Sequence, residues 1–172
     1  MKPAPLAALM LIAPFLAMTG PAAQADQNAA APAPVPHVHG DGLPDPVEKT
    51  RVVDPAMMAK LFSNSGTTLQ WIGWDRRGKL SAEWRGDAVH ISGRQAEPGD
   101  TGLLRIEGDV IAMGKQGFTF RGTILIADTP DYGRFCLRSG DMEFLITRNR
   151  KYWRLQEMTE CDGLTDYVDI YF

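Results

Sequence analysis

The sequence predicts an all-β fold: a small antiparallel meander barrel or sandwich of about nine to ten strands, preceded by one short helix. Three observations predict it. From residue 67 onward, short runs rich in Val, Ile, Thr and aromatic residues follow one another closely, with turn signals between them. Only one stretch, just before them, carries a helical period. A pattern also recurs in which a glycine is followed by alternating apolar residues, at Gly86, Gly108, Gly122 and Gly140.

The first 25 residues read as a secretory signal peptide, with Lys2 as the positive start, an apolar run over 6–18 and a small-x-small site at Ala23-Gln24-Ala25. The apolar run is too short to span a bilayer comfortably, and Pro14 interrupts it. No cysteine follows it to carry a lipid and no Arg-Arg pair precedes it. The expectation is a soluble exported protein, periplasmic or secreted. Cleavage removes Lys2 and leaves the chain one charge more acidic than its formal −3. That balance argues against nucleic acid and against an anionic membrane surface as partners.

Residues 26–53 alternate small residues with proline and show no hydrophobic period. They read as a disordered linker that the domain can fold without. His37, His39 and Asp41 lie in it, but two histidines in a flexible segment are too few for a metal site, so no metal or cofactor is expected. The domain proper is placed at 54–172. Asp54-Pro55 offers an acidic N-cap and a proline at the first helical position, and Met58, Leu61 and Phe62 make one apolar face. Ser63 to Gly66 ends this helix, which is too short to stand alone.

The strands are placed at 67–74, 79–85, 89–95, 103–107, 109–113, 118–127, 134–138, 142–147, 152–156 and 167–172. Asp75-Arg76-Arg77-Gly78 reads as the loop of the first hairpin, and 97–102 as another turn. Each recurring glycine sits either at a tight turn, which suits the Gly-Asp pairs, or inside a long strand where the sheet bends, which suits 118–127. In strand number and glycine placement the chain resembles calycin-type barrels, which hold small ligands. The resemblance implies the barrel outline and carries no functional residue over.

Two cysteines in an oxidising compartment predict one structural disulfide, Cys136–Cys161, stabilising by roughly 3 kcal/mol in the chain-entropy model. Free catalytic thiols are the alternative, but there is no CxxC and no cysteine at a helix start. Nucleophilic chemistry is poorly supplied. His90 is the one histidine of the folded part and reads as a half-exposed strand residue, and no GxSxG surrounds a serine. Asp166 and Asp169, three apart, would face opposite sides of a strand, which disfavours a glycosidase pair.

The last stretch carries the candidate site. Alternation puts Tyr152, Arg154 and Gln156 on one face of their strand, opposite Trp153 and Leu155. It likewise puts Tyr167, Asp169 and Tyr171 opposite Val168, Ile170 and Phe172. Pointing inward, the polar set would line a ligand lumen with Arg154 as a two-pronged donor. Pointing outward, it would be a sheet surface of cross-strand pairs, which is the favoured reading. A third arrangement pairs Arg154 with Asp169 inside the fold. Trp74, on the first hairpin with Trp71 and Trp84, is a further candidate, its ring opposite that of Trp71. The expected function is that of a non-enzymatic envelope protein. It would bind a small ligand or a protein partner through Arg154, Gln156, Tyr167, Asp169, Tyr171 and Trp74. The alternatives are an inhibitor acting through a disulfide-braced loop and an enzyme of unfamiliar type.

Overall fold

The computed structural model describes residues 42–96 and 98–172. The expected signal peptide, the expected linker as far as residue 41 and the His37/His39 pair lie outside the described residues. The elements are β1 (Arg51–Val52), α1 (Pro55–Phe62), β2 (Thr67–Leu69), β3 (Lys79–Arg85), β4 (Ala88–Ala96), β5 (Leu103–Met113), β6 (Gly117–Ala127), β7 (Phe135–Leu145), β8 (Tyr152–Leu155) and β9 (Val168–Tyr171). One nine-stranded sheet runs β2-β9-β8-β7-β6-β5-β4-β3, with β1 lying parallel to β5. From β3 to β9 it is an antiparallel meander, and it curls until its two ends almost meet as a barrel.

The glycines explain the curl. Gly108, Gly122 and Gly140 are directly opposite one another on β5, β6 and β7. A Cβ on Gly122 would lie 2.2 Å from the Glu107 carbonyl oxygen and 2.5 Å from Phe120 Cζ. One on Gly108 would lie 2.3 Å from the Arg121 carbonyl oxygen and 2.8 Å from Phe120 Cε2. The missing side chains let the strands bend sharply while the Phe120 ring lies against them. Gly108 and Gly140 also have φ of 156° and 127°. The Gly-Asp pairs at 108 and 140 are therefore bends inside continuous strands, and the four expected strands at 103–113 and 134–147 are two long ones. Of the recurring glycines, Gly86, with φ 62°, is the one at a turn.

Alternation fills the interior. Val89, Ile91, Leu104, Ile106, Ile124, Ile126, Leu155, Val168 and Ile170 point inward and are buried. Phe118 stacks on Phe144 at 5.1 Å and meets the edge of Trp153 at 5.5 Å, and Phe120 meets Phe144 at 6.1 Å. Aromatic rings thus occupy the space in which a calycin-type barrel would hold a ligand. The helix starts as expected, with Asp54 accepting from the N–H groups of Ala56 and Met57 at 3.0 Å. Its buried face is Met57, Met58 and Leu61, while Phe62 turns outward and stacks on Trp84 at 6.1 Å.

Two local expectations change. The strand expected at 67–74 ends at Leu69, and β2 pairs with β9 rather than forming a hairpin with β3. Gln70 is the physical reason: its amide accepts from Tyr167 N–H and donates to the Thr165 carbonyl, holding the chain where it turns away. The barrel seam is closed instead by Thr67 and Gly78, which exchange backbone bonds of 3.2 and 2.8 Å, and by buried Gln95. Gln95 accepts from Leu69 N–H at 2.6 Å and donates to the Gly73 and Arg76 carbonyls at 2.9 and 2.8 Å. The linker also ends earlier than expected. Thr50 is buried, donating to the Val110 carbonyl at 2.6 Å and accepting from Val89 N–H at 2.7 Å, and Arg51 and Val52 pair with β5. Residues 50–53 therefore belong to the domain, and removing them would strip β5 of a neighbour.

The glycine row makes a direct prediction. Gly122→Ala should cost about 1–3 kcal/mol through overpacking. Gly114→Ala, where a Cβ would meet nothing closer than 3.5 Å, should stay within about 0.5 kcal/mol of wild type. Urea unfolding of the two variants checks this, and equal midpoints would remove the glycine row as the cause of the bend.

Candidate functional site

The site is built on the outer face of β8 and β9. Cross-strand register places Arg154 opposite Asp169 and Tyr152 opposite Tyr171. Inward-facing Trp153, Leu155, Val168 and Ile170 are fully buried, so their alternates are fixed on the outside. Arg154 donates from Nε and Nη2 to the two Asp169 oxygens, each at 2.7 Å. The guanidinium lies 4.1 Å from the Tyr167 ring centre, 5.3 Å from Tyr152 and 5.9 Å from Trp74. Arg77 stacks on Tyr171 at 3.9 Å, and Tyr171 Oη and Thr68 Oγ1 are 3.2 Å apart.

The face is outward, as expected, but it is not a simple solvated surface. Asp169 is 0% exposed, whereas Trp74 is 43% exposed. Asp169 and Arg154 form the buried ion pair of the third arrangement, placed on the outside of the barrel and roofed by aromatic rings. Burial pushes the Asp169 carboxyl above its ordinary value, against the pull of the Arg154 bonds. The bond to Asp169 holds the Arg154 guanidinium above its own ordinary value despite burial. Burial likewise raises Tyr171, opposed by its bond to Thr68. Tyr167, Tyr171, Trp74, Arg154 and Asp169 are thus brought together. Gln156 is turned aside, its amide donating to the Arg154 carbonyl at 2.6 Å.

Trp74 reaches the site because the chain leaves the sheet after Leu69. Strand alternation stops there, so it does not set Trp71 and Trp74 on opposite faces. The Trp71 indole N–H donates instead to Asp166 Oδ1 at 2.8 Å. Asp166 belongs to a second network that sequence reasoning missed. It is fully buried and accepts from Arg134 Nη1 at 2.9 Å, Arg134 Nη2 at 3.0 Å and Arg138 Nη2 at 2.6 Å. Arg134 also donates from Nε and Nη2 to Asp162 at 2.7 and 3.0 Å. The Cys136–Cys161 disulfide, with Cα atoms 5.7 Å apart, ties the same two segments together.

A third network corrects the reading of His90, which is 7% exposed rather than half-exposed. Its Nδ1 is 2.8 Å from Asp109 Oδ1 and its Nε2 is 2.8 Å from Glu107 Oε1. Ser92 donates to the other Glu107 oxygen at 2.9 Å. Burial works to raise the Glu107 carboxyl, but the His90 and Ser92 bonds outweigh it and hold the group below its ordinary value. The order is serine, carboxylate, imidazole. With the carboxylate in the middle, the imidazole cannot take the serine proton as a catalytic triad requires.

Two predictions follow from these pairs. Asp169→Asn leaves the Arg154 charge unmatched and should cost about 3–5 kcal/mol, whereas the double variant Arg154→Met/Asp169→Leu should recover most of that loss. Urea unfolding of both measures it, and a double variant as weak as the single would contradict the ion-pair account. The second concerns pH. The bond from Arg134 holds Asp162 down to about 2, below its ordinary 3.8. The stabilisation is fully present above the ordinary value and is lost as pH falls through the lower one. Thermal midpoints of wild type and Asp162→Asn should therefore converge as pH drops over that window, and parallel curves would count against the bond.

Comparison with known proteins adds a family. Residues 49–172 match the model of the PM1083 family. The uncharacterised protein PM1083 of Pasteurella multocida (strain Pm70) is 36% identical over 115 residues, which cover 66% of this chain and 74% of that protein. No solved structure matches the chain. The matched region begins one residue before Thr50, the buried threonine that ties the start of the domain to β4 and β5. The chain belongs to the PM1083 family.

Proposed function

We propose that the protein is an exported, non-enzymatic binding module that recognises a protein partner of the cell envelope through the outer face of β8 and β9. One observation carries this: Tyr152, Tyr167 and Trp74 lie around an arginine whose position is fixed by a buried carboxylate, with Tyr171 stacked on Arg77 beside them. Tyrosine, tryptophan and arginine are the residues that dominate protein interfaces, because they bring large rigid area with a polar handle. Here their ordering cost is already met within the free protein, since Asp169, Thr68 and the stacked cations hold the rings.

The packed interior favours this face over a lumen, and so favours a partner over a small molecule inside the barrel. The buried titratable groups favour binding over catalysis, because Asp166, Asp169 and His90 are each matched to structural partners. Export is supported by the leader-like first 25 residues and by a disulfide, which suits an oxidising compartment.

Chemical crosslinking of the purified protein in a cell-envelope extract tests the proposal. A specific adduct is expected, lost in Trp74→Ala and Tyr167→Ala and retained in Trp84→Ala on β3. Truncating an interface anchor of this kind should weaken binding about thirtyfold, corresponding to roughly 2 kcal/mol. Unchanged thermal midpoints in the variants tie the loss to recognition. An adduct indifferent to Trp74 and Tyr167 would overturn the assignment of this face.

A further inference from the structure

A second feature lies beside this face. The loop joining β7 to β8, the last turn of α1 and Phe172 border an open cleft of about 540 Å³. Lys60, Arg148, Arg150 and Lys151 line it, with Ile146 and Phe172 as an apolar floor, and no carboxylate side chain is among its lining residues. Lys60 lies 4.5 Å from the Phe172 ring centre. Arg150 donates to Thr147 Oγ1 at 3.3 Å and lies 5.5 Å from the Tyr152 ring centre. Among the described residues none of the four cations has an ion pair, whereas Arg121, Arg134, Arg138 and Arg154 all do.

Four cations without an ion pair around one concavity repel one another, although Lys60 and Arg150 each lie over an aromatic ring. The backbone adds to that cost. Arg148 has φ of 60°, a left-handed conformation that disfavours a side chain by about 1–3 kcal/mol, and strain of this kind collects at binding sites. Two planar guanidiniums and two ammoniums match the oxygens of a phosphate-type anion, the arginines by paired donors and the lysines as point charges. The ring of Phe172 and the Ile146 side chain would meet an apolar or sugar portion beside it.

We infer that this cleft is a binding site for a phosphate-bearing ligand, taken either as a free phosphate compound or as the headgroup of an anionic lipid. Asp169 on the neighbouring face acts on Arg150, while the cleft itself is lined by no acidic side chain.

Titration calorimetry with inorganic pyrophosphate, and co-sedimentation with phosphatidylglycerol or phosphatidylcholine vesicles, test it on the full chain. Saturable pyrophosphate binding that weakens steeply with added salt is expected for a site accepting the free anion. Binding to phosphatidylglycerol vesicles alone assigns the headgroup source. The double variant Arg148→Gly/Lys151→Gln should weaken either by about tenfold or more. Glycine suits the left-handed backbone at 148, so this variant should fold at least as well as wild type. Trp74→Ala should leave anion binding unchanged, which separates this site from the docking face. Failure of both probes, or binding that survives the double variant, would overturn the inference.

Discussion

The whole structure depends on a steric constraint: three neighbouring strands must bend at one level, and they can do so because a glycine stands there on each. Gly108, Gly122 and Gly140 form a row in which added Cβ atoms at the first two would run into backbone oxygens and the Phe120 ring. A flat sheet of this width would expose both faces and both edges. The bent one brings β2 within bonding distance of Gly78, so that one reciprocal backbone pair and the Gln95 amide suffice to close the seam. Closure wraps the inward residues into a single core and fills it with Phe118, Phe120, Phe144 and Trp153.

A filled barrel leaves the polar chemistry to the outside of the sheet. Three carboxylate networks brace the surface where the sheet alone would not. Arg154 and Asp169 lock β8 to β9. Asp166, with Arg134, Arg138 and Trp71, fastens the segment behind Cys161 to the start of β7 and to the loop after β2. His90 joins Glu107 to Asp109 across β4 and β5. Each carboxylate is partly or fully buried, and each is matched by donors, as burial of charge demands.

The legible part of this molecule was the part set by local periodicity. The helix cap at Asp54, the burial of Trp153, Leu155, Val168 and Ile170, and the common face of Arg154 and Asp169 all follow from spacing. What failed depended on distant neighbours. Gly-Asp marks a turn at Gly86 but a bend at 108 and 140, and the difference lies in which strands lie alongside. The run after Leu69 looks like strand, yet Gln70 is held by Thr165 and Tyr167 from the other end of the chain. Alternation showed which residues shared a face with Asp169, but not that Trp74 and Arg77 would come over it. The Asp166 network left a faint signal: Arg134 and Arg138 flank Cys136, while Asp162 and Asp166 follow Cys161. A disulfide joining those positions brings opposite charges together.

Net charge describes the whole chain and not a local surface, for a reason that extends beyond this chain. A formal −3 argues against anionic partners only if the charges are mixed over the surface. Here several of them are paired. Asp141, Asp162, Asp166 and Asp169 are each paired with arginine, so their fields are largely cancelled at short range. Lys60, Arg148, Arg150 and Lys151 have no such partners among the described residues and share one cleft. Screening confines exposed charges to a range of about 8–10 Å, so a ligand entering that cleft meets the local cations and not the chain's total. Local partner chemistry therefore depends on which charges the fold leaves without an ion pair, and the four cations beside the β7–β8 loop are one such group.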